Sequence, residues 1–245
     1  MTLATELDLT WRSWDGVHGG YLAGLLLDRA REHAPRLPLR ALHVNFLAPM
    51  RDSAPQLSSD LVRAGRSTTT VRAAITSDGR EALTGVAVFG GGAGGAVLGA
   101  AAAPVVPGPD DCAEFAGMIV PFAQHLEIRP ADGRLPLSGG TEPRLTAWLR
   151  LRDAPADPTQ TALVLLDALP PALYAIRIEP VPIPTVELAA HFTAAVEDFD
   201  AEGWALCSIH TEHAADGWCV DSSALWDTSG RLLATARQTR RILLP

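Results

Sequence analysis

The sequence predicts an α+β fold in which two copies of a long central helix are each wrapped by a curved antiparallel sheet. Three observations predict it. A tract of glycine, alanine and proline over residues 90–108 divides the 245-residue chain nearly in half. The two halves carry rhyming segments in the same order. Each half joins one apolar segment of helical spacing to several alternating segments that read as long strands.

The first helix is read around Leu22–Ala30, at the end of "WDGVHGGYLAGLLLDRA" (14–30), and its Leu22, Leu25 and Leu26 share a face. Gly19 and Gly20 stand just before it. Glycine weakens a helix interior, so the pair marks the helix entrance or a point of close approach. "LRALHVNFLAPM" follows, then "GRSTTTVRAAITSDGREALTGVAVF". In the second half "TALVLLDALPPAL" reads as the helix, followed by "PTVELAAHFTAAV" and "DGWCVDSSALWDTSGRLLATARQTRRIL".

The rhymes are specific. Phe46 and Phe192 end similar alternating segments. "SDGREALT" and "TSGRLLAT" are both turns between strands, with Gly79 and Gly230 at the positions that need positive φ. Val71, Ala73 and Ile75 face opposite to Arg72, Ala74 and Thr76. Val220, Ser222 and Ala224 alternate with Asp221, Ser223 and Leu225, and Leu145, Ala147, Leu149 and Leu151 share one side of "RLTAWLRLRD". A helix must bury its apolar stripe, and a curved antiparallel sheet can wrap it. The architecture is the hotdog, and two copies in one chain make a double hotdog. The expected units are residues 1–103, a linker over 104–118, and 119–245.

Composition excludes several classes. Nearly half of the residues are apolar, enough for a sizeable core. A formal net charge of −8 disfavours a nucleic-acid partner, which requires a basic surface. All the basic side chains other than histidine are arginines. Cys112, Cys207 and Cys219 form no close pair, and neither Cys-x-x-Cys nor paired-histidine spacing occurs, so neither a disulfide framework nor a zinc site is expected. "MTLATELDLTW" lacks a basic leader region, and the 90–108 tract is too poor in large apolar residues and too rich in proline to cross a bilayer. The expectation is a cytoplasmic protein without membrane contact, metal or cofactor.

The sequence resembles the acyl-CoA thioesterase II type of double-hotdog hydrolase. "HGGYLAGLLL", "LHVNFLAPM", "VRAGRSTTTVRA", "FAQHLEIRP", "PTVELAAHF" and "DGWCVDSSALWDTSGRLLATARQ" carry the resemblance, in order and over nearly the whole chain. It implies hydrolysis of an acyl-CoA or acyl-carrier thioester by a water held by an aspartate, a hydroxyl residue and a glutamine of the second half. The matching positions are Asp167, the acidic residue of the second helix, Thr185 at the start of the next strand, and Gln238 in the final strand. An ionised Asp167 would take a proton from water, while Thr185 and Gln238, each donor and acceptor, would orient it. Backbone N–H groups at a helix entrance would polarise the thioester oxygen. Sliding the repeat puts apolar or aromatic residues near Tyr21, Leu39 and Ala87 at the corresponding places, so one working site per chain is expected.

The substrate is expected to meet His18, Gly19, Gly20, Tyr21 and Phe46, with Phe192 and Trp226 as further wall candidates. Arg66, Arg240 and Arg241 are candidates for CoA phosphates. No Gly-x-Ser-x-Gly elbow occurs, which disfavours a serine hydrolase. Two other readings remain open: a non-catalytic acyl-CoA-binding hotdog protein, and a hydratase or dehydratase, which would pair an aspartate with a histidine, absent from the segment around Asp167. Exposed sheet edges favour a homo-oligomer.

Overall fold

A computed structural model describes residues 3–243 except 5, 52–53, 93–97, 100 and 118–119. Its strands are β1 (Leu3–Ala4), β2 (Leu39–Phe46), β3 (Gln56–Ala64), β4 (Thr68–Ser77), β5 (Arg80–Gly90), β6 (Leu126–Pro130), β7 (Arg144–Leu151), β8 (Thr185–Phe192), β9 (Ala205–Ala215), β10 (Trp218–Asp227) and β11 (Leu232–Arg241). Helix α1 spans Gly19–Arg31 and α2 spans Pro158–Leu166. The strands form one 11-stranded sheet in the order β1-β3-β4-β5-β2-β8-β11-β10-β9-β7-β6, with every neighbouring pair antiparallel.

The order β3-β4-β5-β2 is mirrored by β9-β10-β11-β8, and the halves join where β2 pairs with β8, Val44 opposite Leu188. The repeated alternation therefore becomes one continuous sheet with a helix from each half against its inner face. Val71, Ala73 and Ile75 are buried, as the alternation of β4 predicts. Asp78 and Gly79 take positive φ in the β4–β5 turn, and Gly230 does so between β10 and β11. Such backbone suits the twist of an antiparallel hairpin.

The second helix differs from expectation. It begins earlier, where the Asp157 side chain caps the Thr159 N–H at 2.9 Å and Pro158 takes the first turn. It also ends earlier, at Leu166, so Asp167 is its C-cap with φ −108° and ψ 4° rather than a residue of its interior. Pro170 and Pro171 explain the stop, since proline cannot donate to a helical bond and disfavours helical backbone before it. A short 3₁₀ turn, Ala172–Ile176, replaces the continuation.

β7 is buried on both faces rather than on the leucine face alone. Part of the Gly/Ala/Pro tract lies against the outer face, where Trp226 Nε1 donates to the Ala101 carbonyl at 2.9 Å and Trp148 Nε1 to that of Pro107 at 2.8 Å. Trp226 is thus an outer-face residue, and Phe192 lies in the main core.

Candidate active site

The two helices run antiparallel, so the start of α1 meets the end of α2. Gly19 and Gly20 make this approach possible. A Cβ on Gly20 would lie 2.9 Å from the Leu163 carbonyl oxygen and 2.9 Å from the Val164 Cα, and one on Gly19 would lie 2.8 Å from Asp167 Oδ2. The glycines serve both meanings expected of them, helix entrance and close approach.

At this junction the Asp167 carboxylate gathers donors from the start of α1 and from β11. The Gly20 N–H donates to Oδ2 at 2.8 Å, and Gln238 Nε2 on β11 donates to Oδ1 at 2.8 Å. His18 Nε2 stands 3.5 Å from Oδ2 and 3.0 Å from the Asp167 carbonyl oxygen. The Tyr21 N–H donates to His18 Nδ1 at 3.3 Å, so Nε2 carries the proton and donates to Asp167. Donors converging on the carboxylate hold it in place.

Strand register extends the network. Arg240 on β11 lies opposite Thr185 on β8, and Gln238 lies two residues earlier on the same face. Arg240 Nη1 donates to Thr185 Oγ1 at 2.8 Å, and Nη2 donates to Gln238 Oε1. Its Nε stands 3.0 Å from Oδ2 of Asp221, whose side chain is fully buried. Asp167, Gln238 and Thr185 are therefore joined through Arg240.

Asp167, Thr185, His18, Gly19 and Phe46 line a cleft of about 410 Å³, together with Arg240 and apolar side chains. Gln238 is 1% exposed and stands behind Asp167, so in this structure it grips the carboxylate rather than facing the cleft. Burial pushes the phenol of Tyr174, another wall residue, above its ordinary range; it stays a neutral donor to the Val181 carbonyl at 2.5 Å.

Other expected contacts fall elsewhere. Gly20 touches Asp167 and α2 instead of lining the cleft. The Tyr21 ring stacks on Trp11, with centroids 5.0 Å apart. Arg66 stands exposed in the β3–β4 turn, away from the cleft wall. Arg240 is 5% exposed and engaged within the protein, and Arg241 bonds to the Asp216 and Gly217 carbonyls beside Trp218. Sequence reading did not assign Arg240 its central place or Asp221 any place; the one available signal was a carboxylate sharing a face with Cys219 and Leu225 in an alternating strand.

The opposite end of the helix pair carries different chemistry. Leu39 opposes Phe89 there, and Ala87 opposes Leu42, in the positions held by Thr185, Arg240 and Gln238 in the second half. Asp157 at the start of α2 pairs with Arg31 at the end of α1 at 2.9 Å. The slide located Leu39 and Ala87 well but not Tyr21, because 18 residues join α2 to β8 and only 7 join α1 to β2. The α1 counterpart of the Asp167 cap is Glu32, which pairs with Arg29.

Two copies of a sheet-wrapped helix, with a carboxylate at their junction, define a double-hotdog protein. The chain belongs to the acyl-CoA thioesterase family: the model of the family's N-terminal domain matches residues 7–90 and that of its C-terminal domain residues 100–242. A hotdog-fold protein of unknown function from Alicyclobacillus acidocaldarius is similar over 100% of this chain and 94% of its own, at 26% identity and a TM-score of 0.92. A candidate thioesterase II from Thermobifida fusca YX matches over 99% and 92% at 24% identity and a TM-score of 0.87. The acyl-CoA thioesterase II TesB2 of Mycobacterium marinum matches over 93% and 89% at 22% identity and a TM-score of 0.76. No curated protein matched the sequence. The family points to thioester hydrolysis as the general chemistry. Among the described residues no helix is long and apolar enough to cross a membrane, and no three metal-ligating side chains cluster.

Proposed function

We propose that the chain hydrolyses acyl-CoA or acyl-carrier thioesters, with Asp167 as general base. One observation carries the reading: a carboxylate held by Gln238 and the Gly20 N–H stands on the wall of a largely apolar cleft. Asp167 takes a proton from a water in the cleft while the water oxygen adds to the thioester carbon. The C–S bond then breaks, and the thiolate leaves with the proton returned by Asp167, giving a free acid and a thiol. The Thr185 hydroxyl orients the water. The Gly19 N–H, first in α1 and without a partner among the described residues, faces the carbonyl oxygen as negative charge builds on it.

His18 disfavours the hydratase reading. The structure brings it to Asp167 from the other half, as that reading needs, but both ring nitrogens are engaged with the protein. Neither is free to move a substrate proton. His18 instead caps α1 and ties it to the end of α2.

Thiol release from short, medium, long, branched and aromatic acyl-CoAs tests the proposal. The wild type is expected to turn over, and Asp167→Asn to lose about 10²–10⁴ in kcat. Binding of several acyl-CoAs without thiol release would establish a binding protein instead. Self-association belongs to the same proposal, since β3 exposes Leu61 and Val62 near one edge of the sheet; a monomer in sedimentation would remove it.

A further inference from the structure

A glutamine amide has an oxygen end and a nitrogen end, and only the nitrogen can satisfy a carboxylate. A hydroxyl can likewise donate or accept. The site therefore needs something to set these directions. A guanidinium can, because it donates at every nitrogen and keeps its proton throughout the working range.

We infer that the buried Asp221–Arg240 pair is a positioning device that sets hydrogen-bond direction across the site. Arg240 Nη2 occupies the Gln238 oxygen, so the amide must turn its nitrogen to Asp167 Oδ1, 2.8 Å away. Arg240 Nη1 occupies Thr185 Oγ1 at 2.8 Å, so the hydroxyl proton points elsewhere, and Thr185 lines the cleft. Thr185 thereby keeps its proton free of Arg240 and can donate it to the oxygen of the attacking water.

The pair is built to stay buried. Asp221 balances the Arg240 charge at 3.0 Å and is itself held by the Thr211 hydroxyl at 2.7 Å and the Ala172 N–H at 3.4 Å. Register explains the convergence: Asp221 on β10 lies opposite both Gln238 and Thr211. With both terminal nitrogens hydrogen-bonded and its charge paired with Asp221, Arg240 is not the phosphate anchor its sequence position suggested.

This inference rests on Asp167 acting as the base, and the test separates the two. Removing Arg240 alone would leave a buried charge, so the informative variant is the neutral double change Arg240→Met with Asp221→Asn. It should fold by circular dichroism and lose about 100-fold in kcat with KM changed less than about 3-fold, the mark of lost positioning rather than lost binding. Its crystal structure should show the Gln238 amide released from Asp167. Arg240→Lys should fall between, since an ammonium cannot fork to both partners. A folded double variant with wild-type kcat, or one raising KM alone, would overturn the inference. If the wild type releases no thiol, the thioesterase reading fails, and the crystal structure still decides: an unmoved Gln238 refutes the positioning role.

Discussion

Asp167 Oδ1 accepts a hydrogen bond from Gln238 Nε2 at 2.8 Å across 71 residues of chain. The first residue caps a helix and the second lies in the last strand, so the contact measures how well the helix seats on the sheet. Gln238→Met keeps the volume and removes the donor. It should lower kcat about 100-fold through a loosened carboxylate. Steady-state kinetics with matched Tm measurements would check this, with a stability loss of about 1–3 kcal/mol for the partners left unmet.

Gly20→Ala tests the helix approach. The added methyl would press on the Leu163 carbonyl and the Val164 Cα, both backbone atoms that cannot swing aside. The expected cost is about 1–3 kcal/mol in urea unfolding, together with reduced activity. An alanine of wild-type stability and rate would mean that the helices have slack.

Asp157→Ala tests whether the other end of the helix pair is inert. It removes the Thr159 cap and the pair with Arg31. Calorimetry should show about 0.5–2 kcal/mol lost, mostly the cap, while kcat stays at the wild-type value. A large kcat loss in a folded variant would indicate chemistry at that end.

Glu127 on β6 supplies a pH prediction. Burial pushes its carboxyl up, but hydrogen bonds from Arg150 and Arg129 outweigh burial and hold it below its usual value. A depressed folded-state value adds stability above the unfolded-state pKa, and that stability is lost as pH falls through the folded-state one. Urea midpoints measured from about pH 6 to about pH 3 should fall more steeply for the wild type than for Glu127→Gln, which cannot titrate. Parallel curves would show that the carboxylate contributes nothing to acid sensitivity.

The thiols give a further check. Burial pushes Cys207 up to about 12, and burial with the Asp221 charge pushes Cys219 up to about 11. Cys112 is partly exposed. Alkylation of the native protein near pH 8 should therefore label Cys112 and spare the other two until denaturant is added. Rapid native labelling of Cys207 or Cys219 would show that the core opens readily.

The sequence by itself determined the duplication, the strand faces and the hairpin turns. These depend on local chemistry: a side-chain period of two, glycine where φ is positive, and apolar spacing on a helix. The segments ending at Phe46 and Phe192 became β2 and β8, and Gly79 and Gly230 took the backbone expected of them. Resemblance nominated Asp167, Thr185 and Gln238. Only the tertiary structure decided that α2 stops before Asp167, that both His18 nitrogens are engaged, and that Arg240 with Asp221 joins the three. Those relations depend on which residues stand opposite across strands and on how closely two helices approach. Both follow from the packing of the whole chain, and no local stretch encodes them.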